Sequence, residues 1–266
     1  ALEGGVGAHL VASGMGAETL TFLTLGGAGS SIVASPSLYG GTINLLTHTL
    51  PELGITTHFV EDPADPASWT AAADETPTCF FGESIPNPKG DILDIEPIAA
   101  AAHALGVPLV VDNTMASPYL TRPIEWGADI VTHSTTKYME GHAATIGGCI
   151  VDSGRFDWMT HADKYPGLCT PDESYHGLTY ATDFGEAAYI VKATAQLMRD
   201  LGCCQSPQNA FLLNTGLESL HLRMRRHVDN AQRVAEWLEA DERVAWVNYA
   251  GLPGNKYYAL AQKYLP

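Results

Sequence analysis

Apolar residues in the first half of the chain come in two rhythms. Short, near-continuous apolar runs at 31–35, 56–60, 78–82, 107–113, 129–133 and 147–152 have the length and texture of strands buried on both faces. Between them, at 15–25, 41–53 and 94–105, apolar positions recur with helical spacing, and Asp94 with Pro97 fits an acidic helix start followed by an early proline. Strands alternating with helices predict the α/β class, a mainly parallel central sheet flanked by helices. A long helix is expected over 182–201. After Gly202 the pattern changes. Ser206-Pro207 opens a new helix, and 217–240 is amphipathic through Leu220, Met224, Val228, Ala231, Val234, Ala235 and Leu238. A short strand at 245–249 and a last helix near 257–263 complete the prediction. The expected organisation is a large domain over 1–202 and the beginning of a smaller α+β domain over 203–266, too short to close a sheet layer of its own.

The polar residues that end the apolar runs carry the candidate chemistry. One run ends Val110-Val111-Asp112-Asn113-Thr114, the next Val131-Thr132-His133-Ser134-Thr135-Thr136-Lys137. In an open α/β sheet, the carboxyl ends of the strands face one ligand-binding crevice. Asp112 ends an apolar strand, an expensive place for an unpartnered charge. It either meets a cationic ring nitrogen or serves as a helix cap or structural ion pair. Alternation along an extended segment would point the hydroxyls of Ser134 and Thr136 the same way. Earlier in the chain, Ser13-Gly14-Met15-Gly16 precedes a helix. The amides of Gly14 and Met15 there suit a phosphate, while the plainer reading is a serine cap with permissive glycines. Tyr39, in Tyr39-Gly40-Gly41-Thr42, suits stacking on a flat ring and proton transfer at its hydroxyl, or simply packing at a turn. Asn87, in Glu83-Ser84-Ile85-Pro86-Asn87-Pro88, is a hydrogen-bond donor to a ring substituent or a turn former.

A carboxylate, a lysine amine, hydroxyls and a helix start together match the handles of pyridoxal 5′-phosphate (PLP), namely a basic ring nitrogen, an aldehyde and a phosphate. Competing motifs fall away. Ser134-Thr135-Thr136-Lys137 has the S-x-x-K spacing of penicillin-recognising acyl enzymes, but the companion S-D-N and K-T-G tripeptides are absent from the chain. Gly26-Gly27-Ala28-Gly29-Ser30-Ser31 follows a helix and precedes a strand, the wrong order for a dinucleotide loop, and reads as a helix cap and turn. His133, His142 and His176 show no metal-ligand spacing, so no metal site is expected.

Composition narrows the partners. The 266 residues carry 30 acidic against 14 basic side chains, a formal charge of −16, which disfavours nucleic acid. Arg223, Arg225 and Arg226, the tightest basic group, read as a solvated or salt-bridged helix face. No run approaches the roughly 20 apolar residues that span a bilayer, and the first residues lack the pattern of a signal peptide. Five cysteines without a C-x-x-C pair, Cys79 and Cys149 among apolar neighbours, fit free thiols in a reducing cytoplasm.

Taken in order, Ser-Gly-Met, Tyr-Gly-Gly-Thr, Glu-Ser-x-x-Asn-Pro, Val-Val-Asp-Asn-Thr and His-Ser-Thr-Thr-Lys-Tyr resemble the Cys/Met-metabolism family of fold-type I PLP-dependent enzymes over essentially the whole chain. Within it, the stretches 112–120, 171–178 and 249–253 are most similar to the subgroup that sulfhydrylates O-acetylhomoserine. The resemblance implies that Lys137 forms the Schiff base, Asp112 pairs with the pyridinium and Tyr39 stacks on the ring and assists the leaving group. It also implies that Gly14, Met15, Ser134 and Thr136 hold the phosphate. The expected substrates are a small amino acid, O-acetyl-L-homoserine, and sulfide; the alternatives are a γ-lyase or a cystathionine synthase or lyase of the same family, or a noncatalytic PLP-binding fragment. The expected assembly is a homo-oligomer, a dimer of dimers. Two family features have no counterpart here, an upstream Tyr-x-Arg-x-x-Asn-Pro-Thr segment and a downstream arginine for the substrate carboxylate. The expectation from the sequence is therefore a fragment whose active site is incomplete by itself.

Overall fold

The computed structural model describes residues 1–265. Its centre is a seven-stranded sheet in the order β1-β7-β6-β5-β4-β2-β3. The strands are β1 (Gly7–Val11), β2 (Ser31–Ala34), β3 (Thr56–Phe59), β4 (Pro77–Glu83), β5 (Leu109–Asp112), β6 (Ile130–His133) and β7 (Gly148–Asp152). β2 to β6 pair in parallel, while β7 runs antiparallel to both of its neighbours, β6 and β1. Six of the strands therefore end, and β7 begins, at the same edge.

Alternation within the strands divides the core into two layers. Phe81, Val110, Ile130 and Ile150 join one cluster with Leu20, Leu45, Leu46 and Tyr189. Their neighbours Phe80, Val111, Val131 and Val151 join the other with Trp69, Ile98, Ala102 and Tyr264. Burial on both faces explains the continuous apolar runs. The first layer is closed by the helix Gly14–Leu25, the helical run 40–52 and the segment 180–201. The second is closed by Pro66–Ala72, Ile95–Ala104 and Tyr258–Tyr264.

The predicted strands and helices form within a few residues of their expected bounds, with instructive differences. β1 escapes the pattern because its five residues include Gly7 and His9 and it carries a single fully buried side chain, Val11. The helix Pro66–Ala72 is signalled by Asp65, whose carboxylate accepts from Ala67 N at 2.9 Å, and by proline in the first turn. The helix expected over 182–201 is broken near its start, where Gly185 adopts φ 54°, and changes pitch over Ala193–Met198. The strand expected at 245–249 does not form; that stretch is irregular, with no strand alongside to complete its hydrogen bonds. Residues 203–265 contribute the helices Pro207–Leu217, Leu220–Glu239 and Tyr258–Tyr264. The glycine-rich stretch behaves as a cap and turn, Gly26 N donating to Phe22 O and Ser30 N to Gly27 O. All five cysteines are free thiols, with Cys79 and Cys149 buried. Among the described residues no helix is long and apolar enough to cross a membrane.

Candidate active site

The shared sheet edge gathers chain from six places. Ser13 to Met15 follow β1, Tyr39 follows β2, and Glu83 and Asn87 close β4. Asp112 to Met115 close β5, Ser134 to Lys137 follow β6, and Ile146 precedes β7. Together with Glu18 these residues line a cavity of about 230 Å³. Gly14, Met15, Tyr39, Asn87, Asp112, Ser134, Thr136 and Lys137 thus all meet in one pocket.

Each position has a local cause. Ser13 caps the helix, its Oγ accepting from Gly16 N at 3.0 Å. That leaves the amides of Gly14 and Met15 among those with no intrahelical partner. Gly14 packs against the β6 end so closely that a Cβ would lie 2.6 Å from Ser134 Cβ. A Cβ on Gly41 would meet the Tyr39 ring at 2.6 Å, so the second glycine after the tyrosine is what gives its ring room. Asp112 accepts from Thr114 N at 2.9 Å and from Thr132 Oγ1 at 3.2 Å. Thr114 in turn accepts from Ser134 N at 2.7 Å, clamping the ends of β5 and β6 together.

One expectation about geometry is corrected. Residues 134–140 do not continue the strand. They form a turn closed by Lys137 N donating to Ser134 O, Glu140 N to Thr135 O and Gly141 N to Lys137 O. Ser134 and Thr136 reach the pocket by that turn, not by strand alternation, and Thr136 Oγ1 donates to Gly147 O at 3.2 Å. The turn's outer carbonyls meet Arg223, which donates to Tyr138 O at 2.7 Å and to Gly216 O at 2.8 Å. Arg223 is therefore no solvated or salt-bridged charge, while Arg225 and Arg226 are exposed.

The pocket is electrostatically lopsided. Glu18, Glu83 and Asp112 face it with Lys137 as the lining cation. Burial raises the Asp112 carboxyl despite its hydrogen bonds. Burial, and then the Asp112 charge, push Glu83 up to about 8 and raise Glu18 well above the ordinary carboxylate range. Glu18 accepts from Thr42 Oγ1. Sequence reasoning missed Glu18 and gave Glu83 no role. Glu18 was detectable, since it lies one helical turn beyond Gly14 on the same face.

These residues fit PLP. Asp112 is a buried acid that a cationic ring would satisfy, and Lys137 forms no ion pair among the described residues. The unpaired helix amides at 14 and 15 suit an anion.

Comparison with known proteins agrees. Residues 1–266 match the family described as Cys/Met metabolism PLP-dependent enzyme. The chain is 49% identical over 272 residues to an O-acetyl-L-homoserine sulfhydrylase of Leptospira meyeri, covering 99% of this chain and 61% of that protein. It is 48% identical to a homocysteine synthase of Schizosaccharomyces pombe, covering all of this chain and 62% of that one. A crystal structure of an O-acetylhomoserine (thiol)-lyase from Campylobacter jejuni, which carries a pyridoxyl-lysine phosphate, superposes with a TM-score of 0.95. It is 36% identical and covers 99% of this chain and 64% of that one. This chain thus spans about three fifths of the length of the curated relatives it matches. It belongs to the Cys/Met-metabolism family of PLP-dependent enzymes.

Proposed function

We propose that this chain carries the cofactor-binding core of an enzyme that replaces the acetate of O-acetyl-L-homoserine with sulfide, giving L-homocysteine and acetate. The observation that carries the reading is the single pocket in which a buried acid, a free lysine, a tyrosine and a capped helix start converge. The relatives' names supply the substrate.

PLP, when bound, supplies an electron sink that acidifies the protons on Cα and Cβ of an amino-acid substrate. In this reading the Asp112 carboxylate pairs with the protonated ring nitrogen. The amides of Gly14 and Met15, with the hydroxyl of Ser134 and that of Thr136 once it turns from Gly147 O, hold the phosphate. Asn87 hydrogen-bonds the ring oxygen, and Tyr39 stacks on the ring. Lys137 would hold the aldehyde carbon, and its amine is the group that would move protons at Cα and Cβ. The Tyr39 hydroxyl assists acetate as the Cγ–O bond breaks, before the Cγ–S bond forms. Residues 1–202 act as the cofactor-binding domain and 203–266 as the start of a second domain, in a homotetramer built as a dimer of dimers.

The test is chemical. With PLP, O-acetyl-L-homoserine and sulfide, the whole enzyme of which this chain is the cofactor-binding core is expected to yield homocysteine, and borohydride is expected to fix PLP on Lys137, read by peptide mass spectrometry. Lys137→Ala should lose both. A 2-oxo acid as the product would replace this reading with a γ-lyase, and no labelling at Lys137 would overturn the site. Light scattering of the protein with PLP tests the tetramer.

A further inference from the structure

We propose that Glu83 is a positioning residue that sets where Tyr39 and Asn87 stand relative to Asp112; the inference rests on the PLP reading and gives its pocket a frame. Tyr39 and Asn87 lie on separate loops, one after β2 and one after β4, and their main-chain N–H groups converge on one carboxyl. Glu83 Oε1 accepts from Tyr39 N at 2.6 Å and Oε2 from Asn87 N at 3.3 Å. Glu83 is 6% exposed, so water does not compete well for its carboxyl. The two loops are also joined to each other, Ser37 Oγ donating to Asp91 Oδ2 at 2.9 Å. Glu83 ties that joined unit to the sheet.

The place of attachment matters. In the β4–β5 ladder Glu83 stands directly opposite Asp112. The groups assigned to the ring face, the ring oxygen and the ring nitrogen are therefore referenced to one pair of strand ends. Tyr39 is 47% accessible and its ring lies over Gly41 of the same loop, so the ring moves with that loop's backbone. Glu83 touches no reacting atom in this scheme; it acts through the two residues it holds.

NMR-detected hydrogen exchange on the protein without PLP reads the claim whatever the cofactor does. Glu83→Ala is expected to speed exchange of the Tyr39 and Asn87 amides by about tenfold or more while the amides of β4 stay protected. Glu83→Gln keeps one acceptor oxygen and is expected to lose protection at one of the two. With PLP added, Glu83→Ala is expected to weaken binding by about tenfold in an absorbance titration. That loss should shrink below about twofold when Tyr39 and Asn87 are already alanine. Unchanged exchange in both variants, or an undiminished loss in the double-alanine background, overturns the proposal. A wild-type protein that fails to bind PLP would overturn the cofactor reading instead, and the exchange data would still decide the role of Glu83.

Discussion

A methyl group on Gly14 would sit 2.6 Å from Ser134 Cβ and 2.9 Å from Ser134 Cα, and neither the strand end nor the helix start can yield easily. Gly14→Ala is therefore expected to cost about 1–3 kcal/mol as overpacking, measured by urea denaturation, and to weaken PLP binding in the same variant. A loss of stability with unchanged PLP affinity would show that this junction does not hold the phosphate. Arg223 makes a second residue-scale case. Its guanidinium bonds the carbonyls of Tyr138 and Gly216, so Arg223→Ala should destabilise by about 2 kcal/mol, within the range for hydrogen bonds to charged groups. Arg223→Lys should recover less than half, because an ammonium cannot reproduce the planar fork. Asp112 and Lys137 were readable because a charge ending an apolar run is conspicuous. The guanidinium's partners were not, since charges at helical spacing look alike whether they meet water or a carbonyl lying far away in the chain.

Elements were legible where both faces of a strand are buried and illegible where one feature had to come from elsewhere in the fold. β4 to β6 announce themselves; β1 is an edge strand whose identity depends on β7 beside it. The turn 134–140 looks like a continued strand until its hydrogen bonds are seen. Asp152, the last residue of β7, links sheet to helix, accepting from Gly154 N at 2.8 Å and from Ile190 N at 3.2 Å. Burial pushes its carboxyl from 3.8 up to about 6. A carboxyl raised in the folded state holds its proton more tightly there than in the unfolded chain. Its contribution is thus present below the unfolded value and lost as pH rises through the folded one. The stability of wild type minus that of Asp152→Asn is expected to fall by on the order of 2–3 kcal/mol between about pH 4 and pH 6.5. Denaturant melts at several pH values check this, and a flat difference would mean the carboxyl titrates normally.

For the whole molecule, the pocket and the fold are one thermodynamic object. A ligand that binds only the folded state stabilises it by mass action, by about 2.7 kcal/mol at roughly 100 times its dissociation constant. PLP is expected to raise the unfolding midpoint accordingly, and Lys137→Ala and Asp112→Ala should reduce or abolish the rise in thermal scans. An equal rise in both variants would place PLP elsewhere. The acidic surplus, the α/β class and the sheet edge bearing the site were accessible from sequence, because composition and periodicity are summed over many residues. The juxtaposition of Glu83 with Asp112 was not, because it is assembled by strand order.

That strand order also has a kinetic meaning. β1 takes β7 as its ladder partner, and more than half the chain separates them. During synthesis β1 waits with an unpaired edge while β2 to β6 emerge, and the loop that joins the pair is closed late. When β7 docks, Gly148 comes so close to Ser13 that a Cβ there would strike its carbonyl oxygen. The turn that offers amides to an anion and the turn that presents Lys137 are thus brought side by side in the same late event. A chain stalled before residue 148 would hold every residue of the proposed cofactor site and lack the strand that lies between β1 and β6 and seats β1 in the sheet.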